Sequence, residues 1–144
     1  MTRRCRALEA SVRLLITDMN EARNQLKNLL VPRLKSLGFN GSFPHFRRVR
    51  NLRNELLTIQ FDKYGTGRFV IELASAPTGA FITYWGKEIS ESKLTAHDLS
   101  ERFRLGSSLG KDSWFSIDTD PNNTIEMVVK LLDSQGQAYF DQYA

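Results

Sequence analysis

The hydrophobic period of this chain changes once in its first half, and that change limits the fold more than any other feature. Apolar residues recur at Ala22, Leu26, Leu29, Leu30, Leu34 and Leu37, one face of a 3.6-residue repeat. Beyond Gly38 the period falls to two. Leu57, Ile59 and Phe61 alternate with Thr58, Gln60 and Asp62. Phe69, Ile71 and Leu73 then alternate with Arg68, Val70 and Glu72. Between these runs stands YGTG, whose glycines take positive φ cheaply, so the pair reads as a hairpin. A helix followed by such a hairpin can bury its apolar stripe against one face of the sheet.

The remaining elements follow from local signals. Asp18 and Glu21 form a capping-box pattern at the helix start, and Pro32 is expected to kink or restart that helix. Gly38 supplies a left-handed stop over which Phe39 can fold back. SFPHFRRV reads as a strand, RNLRN as a turn and AFITYWG as a fourth strand. KEISESKLTAHDLSE reads as a polar loop with a helical turn, and RFRLG and SWFSID as short strands. In DPNN, Asp120 precedes Pro121 as a first helical residue, and Asn123 with Glu126 is a second capping box. Ile125, Val128, Val129 and Leu132 form that helix's apolar face. Gly136 is expected to split off a last short helix carrying Tyr139, Phe140 and Tyr143.

The expected fold is therefore α+β: an N-terminal helix, an antiparallel sheet of four to six strands built from consecutive hairpins, and a C-terminal helix. Both helices lie on one face of the sheet. Residues 19–144 read as a single domain. Residues 1–18 read as an N-terminal arm, a helix extension or an over-called start.

Composition excludes several classes. With 41% apolar and 25% charged residues the chain is too apolar for disorder. Cys5, His45 and His97 are too few soft ligands for a structural zinc, and no metal or cofactor is expected. No apolar run approaches the roughly 20 residues of a membrane span. Glu9 and Arg13 interrupt what would be the greasy part of a leader. The expectation is a soluble cytoplasmic protein without membrane contact. Charge is uneven: residues 1–53 hold 12 basic and 3 acidic side chains, and residues 54–144 hold 8 and 13. Such asymmetry marks either a polyanion footprint or two halves that attract each other.

The densest basic run is HFRRVRNLRN. Arg47, Arg50 and Arg53 are the candidates for nucleic-acid contact, with Phe43 and Phe46 available for stacking. On a strand Arg47 and Arg48 point to opposite faces, and Arg50 and Arg53 fall in the turn, so a solvated hairpin is the favoured reading. Catalytic signals are weak. His97 and Asp98 are sequence neighbours that do not face each other on a helix or strand, and His45 reads as a hairpin residue. Asp118 and Asp120 are explained by capping. GSSLGK lacks the spacing of a phosphate loop and reads as a turn. The sharper alternative is a groove on the sheet face away from the helices, where Arg48, Gln60, Arg102, Arg104 and Trp114 accept an anionic ligand or a peptide carboxylate. Ion pairing of these arginines with Glu72, Asp62 and Glu101 is the plainer possibility.

Taken in order, LKSLGFNGSFPHFRR, LLTIQFDKYGTGRFVIELA and RFRLGSSLGKDSWFSID, followed by a C-terminal helix, resemble a bacterial family known as domain of unknown function 4304. The features that carry the likeness are the Leu-Gly-Phe helix stop, Phe46-Arg47-Arg48, Gln60-Phe61, Arg102 to Gly106 and Trp114-Phe115. Phe115 stands where the family has a second tryptophan. The likeness covers roughly Asn20 to the end, with an insertion near Trp85 to Glu101. It implies a fold and positions to inspect, not an activity. The function expected is a non-enzymatic ligand-binding or protein-interaction module whose partner is a protein or a second copy of the chain. Nucleic-acid binding through the basic half is the alternative, and an enzyme of unrecognised type a second one.

Overall fold

The computed structural model describes residues 21–107, 114–117 and 120–143. Helix α1 occupies residues 21–36 and continues unbroken through Pro32, so the expected kink or restart is not formed. Asn28, whose carbonyl loses its donor to the proline, is exposed and can use water instead. The stop is a complete Schellman closure. Gly38 has φ +93°, its N–H donates to the Lys35 carbonyl at 3.0 Å, and the Phe39 N–H donates to Leu34 at 3.0 Å. Phe39 is thereby turned into the core. The Asp18 cap, the 1–18 arm and most of GSSLGK lie outside the described residues.

The strands are β1 (Asn40–Ser42), β2 (His45–Arg50), β3 (Arg53–Phe61), β4 (Arg68–Pro77), β5 (Phe81–Ile82), β6 (Glu88–Ile89), β7 (Phe103–Arg104) and β8 (Phe115–Ser116). The main sheet is antiparallel and six-stranded in the order β1-β2-β3-β4-β7, with β8 pairing farther along the same edge of β4. The first four strands are consecutive hairpins. AFITYWG does not join them. Only Phe81–Ile82 is extended, and it pairs with β6 in a separate two-stranded ribbon. Helix α2 (Pro121–Leu131) starts as DPNN predicts: Pro121 opens it and the Asp120 carboxylate accepts the Asn123 N–H at 3.2 Å. The second capping box is not used. Glu126 reaches Arg33 of α1 instead.

Gly136 does not break the last helix. A π-helical turn, Leu132–Gly136, leads directly into α3 (Gln137–Asp141). A Cβ at Gly136 would lie 3.3 Å from Leu73 Cδ1 and 3.5 Å from Leu132 Cδ2, so the glycine lets helix and sheet approach.

Both helical segments pack on one sheet face. Leu26, Leu30 and Leu34 of α1 share a core with Ile125, Val128, Val129, Leu132, Tyr139 and Phe140 and with Phe46, Leu57, Ile59, Phe69, Ile71 and Leu73 of the sheet. The uneven charge is partly resolved here, because Arg33–Glu126 and Arg50–Asp141 bring the basic half against the acidic one.

The second face is also covered. Leu56, Ala74 and Ala76 form a smaller core with Ile89, Leu94, Ala96 and Leu99, against which Phe81 packs. The polar-looking 81–99 segment thus folds over the sheet as a second layer, built from the ribbon and two 3-10 turns (Glu91–Lys93 and Ala96–Asp98). Val70 and Glu72, which alternation turns away from the helices, are consequently buried and not solvated.

The β2–β3 turn holds a substitution target. Asn51 and Leu52 both have positive φ (+53° and +60°), the pattern of a type I′ hairpin turn, and Leu52 is 80% exposed. A left-handed leucine is strained by roughly 1–2 kcal/mol. Leu52→Gly is therefore expected to raise stability by about 0.5–1 kcal/mol after the glycine's greater unfolded-state freedom is offset. The denaturant midpoint should rise with an unchanged slope.

Candidate functional site

Strand alternation sorts the arginine run onto two faces. Arg48 and Arg50 share the helix side with Phe46, and both bind Glu55, whose side chain is only 2% exposed. Arg48 Nε lies 2.7 Å from its carboxylate and Arg50 Nη2 2.9 Å. Arg48 also donates to the Leu37 carbonyl at 2.9 Å and lies over the rings of Phe39 and Phe140. Arg50 continues to Asp141 at 2.7 Å. Together Arg50 and then Gln137 hold the Asp141 carboxyl below its usual range. Arg53 donates to Ser75 Oγ at 3.0 Å and covers the Tyr143 ring. These contacts lock β2 and β3 to the end of the last helix. They place Arg48 on the sheet side opposite Gln60, Arg102, Arg104 and Trp114.

The other four candidates do share the second face. There a polar row crosses four strands in register: His45 opposite Thr58, Thr58 opposite Glu72, and Glu72 opposite Arg104. His45 Nδ1 lies 2.9 Å from Thr58 Oγ1. The Glu72 carboxylate receives Arg102 at 3.0 Å, Arg104 at 3.1 Å and His97 at 3.5 Å. Trp114 is 41% exposed and has the guanidiniums of Arg68 and Arg104 over its ring, each 5.8 Å from the centroid. Gln60 is exposed at the margin, opposite Val70. Glu72 therefore occupies the centre of this cationic group, as the ion-pairing alternative anticipates.

His97 and Asp98 serve different partners. Asp98 accepts the Thr95 N–H at 2.9 Å, whereas the His97 ring stands edge-on to His45 with centroids 5.9 Å apart. Burial, and next the proximity of His97, lowers the His45 pKa from its usual value. The unfolded chain then takes up that proton more readily than the native one, so stability should decline as pH falls below about 6.5. His45→Asn should flatten this part of a stability-versus-pH profile, measured by urea unfolding at successive pH values.

An open groove of about 340 Å³ lies beside the row, between β1–β2 and the 92–95 segment. Its walls include Asn40, Ser42, His45, Arg47, Lys93 and Thr95, and among the described residues no carboxylate side chain lines it. Arg47 ties the wall in place by donating to the carbonyls of Glu91 and Ser92, the latter at 2.9 Å. The Glu91 carboxylate turns instead to Asn54, accepting its amide at 3.0 Å. In the sequence Arg47 reads as part of a solvated hairpin, with nucleic-acid contact as the alternative, and nothing there points to the groove beyond the shared parity of His45 and Arg47.

An antiparallel sheet with helices on one face and an irregular cover on the other, and a polar groove beside that cover, defines an α+β domain. Its family is clear: the chain belongs to the domain of unknown function family DUF4304, whose model matches residues 30–142. Comparison with curated proteins and with solved structures finds no match. Among the described residues no helix is long and apolar enough to cross a membrane.

Proposed function

We propose that this domain is a non-enzymatic binding module, acting in the cytoplasm, that receives its ligand or protein partner on the second sheet face. The observation that supports this most is the contrast between the two faces. Helices fill the first, while the second keeps an open polar groove beside a preformed wall. The buried Glu72 engages Arg102, Arg104 and His97. The rim of Gln60, Arg102, Arg104 and Trp114 extends the same surface.

Nucleic-acid binding through Arg47, Arg50 and Arg53 is the competing reading. It is disfavoured by the engagement of Arg50 with two carboxylates and of Arg53 with Ser75 and Tyr143. Fluorescence titration with single-stranded and duplex RNA at 50 and 200 mM salt separates the readings. The module reading expects no binding that weakens steeply with salt, whereas an affinity falling by orders of magnitude would favour nucleic acid. A thermal-shift panel of small anions, cations and neutral metabolites supplies the positive arm. Ligands that raise the melting temperature of the wild type and not of Arg47→Ala support the proposed face. Stabilisation that survives in that variant opposes it.

A further inference from the structure

We infer that the groove between β1–β2 and residues 92–95 is a binding site for a doubly charged oxyanion group, in chemistry a phosphate monoester or its sulfate analogue. The inference rests on the binding-face reading and specifies its ligand. Two cations line the groove. Arg47 spends two of its nitrogens on backbone carbonyls, which fixes the guanidinium without cancelling its charge. Lys93 lies on the first 3-10 turn, exposed, and makes no ion pair among the described residues. It also borders a neighbouring hollow with Glu88 and Asp98, but Asp98 is committed to the Thr95 N–H and hydroxyl.

The same lining carries the hydroxyls of Ser42 and Ser92, Asn40, whose amide donates to the Gly38 carbonyl at 3.5 Å, and Thr95, whose hydroxyl donates to Asp98. An oxyanion with several acceptor lone pairs matches this mixture of fixed charge and neutral donors, and Arg recognises such groups with directional hydrogen bonds. A cationic ligand would meet two like charges and, among the described residues, no lining carboxylate. A purely apolar one would strip water from donors it cannot replace. The volume of about 340 Å³ suits a small molecule or a phosphorylated side chain.

The test is a two-dimensional amide NMR titration of the full chain with sodium sulfate, inorganic phosphate and acetate at constant ionic strength. Saturable shifts are expected at Asn40–Ser42, Arg47 and residues 92–95, with sulfate and phosphate binding at least tenfold tighter than acetate. Lys93→Ala, a surface change, should weaken sulfate binding several-fold with the spectrum otherwise preserved, and Arg47→Ala should weaken it tenfold or more. Sulfate shifts that are absent, unsaturable or insensitive to Lys93→Ala overturn the inference. If neutral or cationic compounds perturb these amides and sulfate does not, the oxyanion assignment fails while the binding face stands. If no compound perturbs the second face, both fail.

Discussion

Glu55→Ala should cost about 3–5 kcal/mol, the usual penalty for removing one partner of a buried ion pair. Glu55 is 2% exposed and holds two guanidiniums at once, with Arg48 only 18% exposed and Arg50 32%. Its loss leaves Arg48 wedged among the Leu37 carbonyl, Phe39 and Phe140 without its ion-pair partner, with only the weaker pull of Asp141 remaining. Arg50 keeps Asp141, which limits its share of the damage. The loss should therefore fall near the lower end of the range in urea unfolding. Arg48→Met combined with Glu55→Leu should recover much of it, because the desolvation of both charges disappears together. A Glu55→Ala protein as stable as the wild type would mean that this corner is open to water.

The second large effect concerns Gly41. Its φ is +142°, and a Cβ there would stand 2.5 Å from the His45 carbonyl oxygen and 3.1 Å from Phe46 Cα, both backbone atoms that cannot step aside. Gly41→Ala should cost on the order of 2–3 kcal/mol, the strain of that conformation plus the enforced shift of β1. Because β1 forms one wall of the groove, the variant should also lose sulfate binding, a coupling that Leu52→Gly at the far turn should not show. Equilibrium unfolding and the amide titration read the two consequences separately.

Most of the architecture was legible from short-range signals. The Schellman stop at Gly38, the alternation of β3 and β4 and the Asp120-Pro121 helix start each rest on neighbours within a few residues, and each appears where the pattern places it. Misreadings came from tertiary partners. Gly136 reads locally as a helix end, yet it serves the approach of Leu73, and the helix answers with a π turn instead of a break. Glu126 reads as a capping residue, but Arg33 of another helix claims it.

The second layer was the largest omission. Ile89, Leu94, Ala96 and Leu99 follow neither a two- nor a 3.6-residue period, so no regular element announces their common burial. Without that layer, Val70, Glu72 and Arg104 look like an open sheet surface. With it, Glu72 becomes the buried anchor of Arg102 and Arg104, and the free polar surface moves to the margin of the 92–95 wall. Arg47 changes meaning for the same reason. Alone in the sequence it is part of a basic run, whereas under the folded cover it is the cation that holds the wall.

The placement of the groove depends on the 81–99 segment lying against the sheet. Methyl-to-methyl nuclear Overhauser contacts in a uniformly labelled sample measure this directly. Leu56, Ala74 and Ala76 should each show cross-peaks to methyls of Ile89, Leu94, Ala96 or Leu99. Absence of all such cross-peaks, with Leu56 and Ala74 in contact with water instead, would contradict the covered face and remove the groove with it.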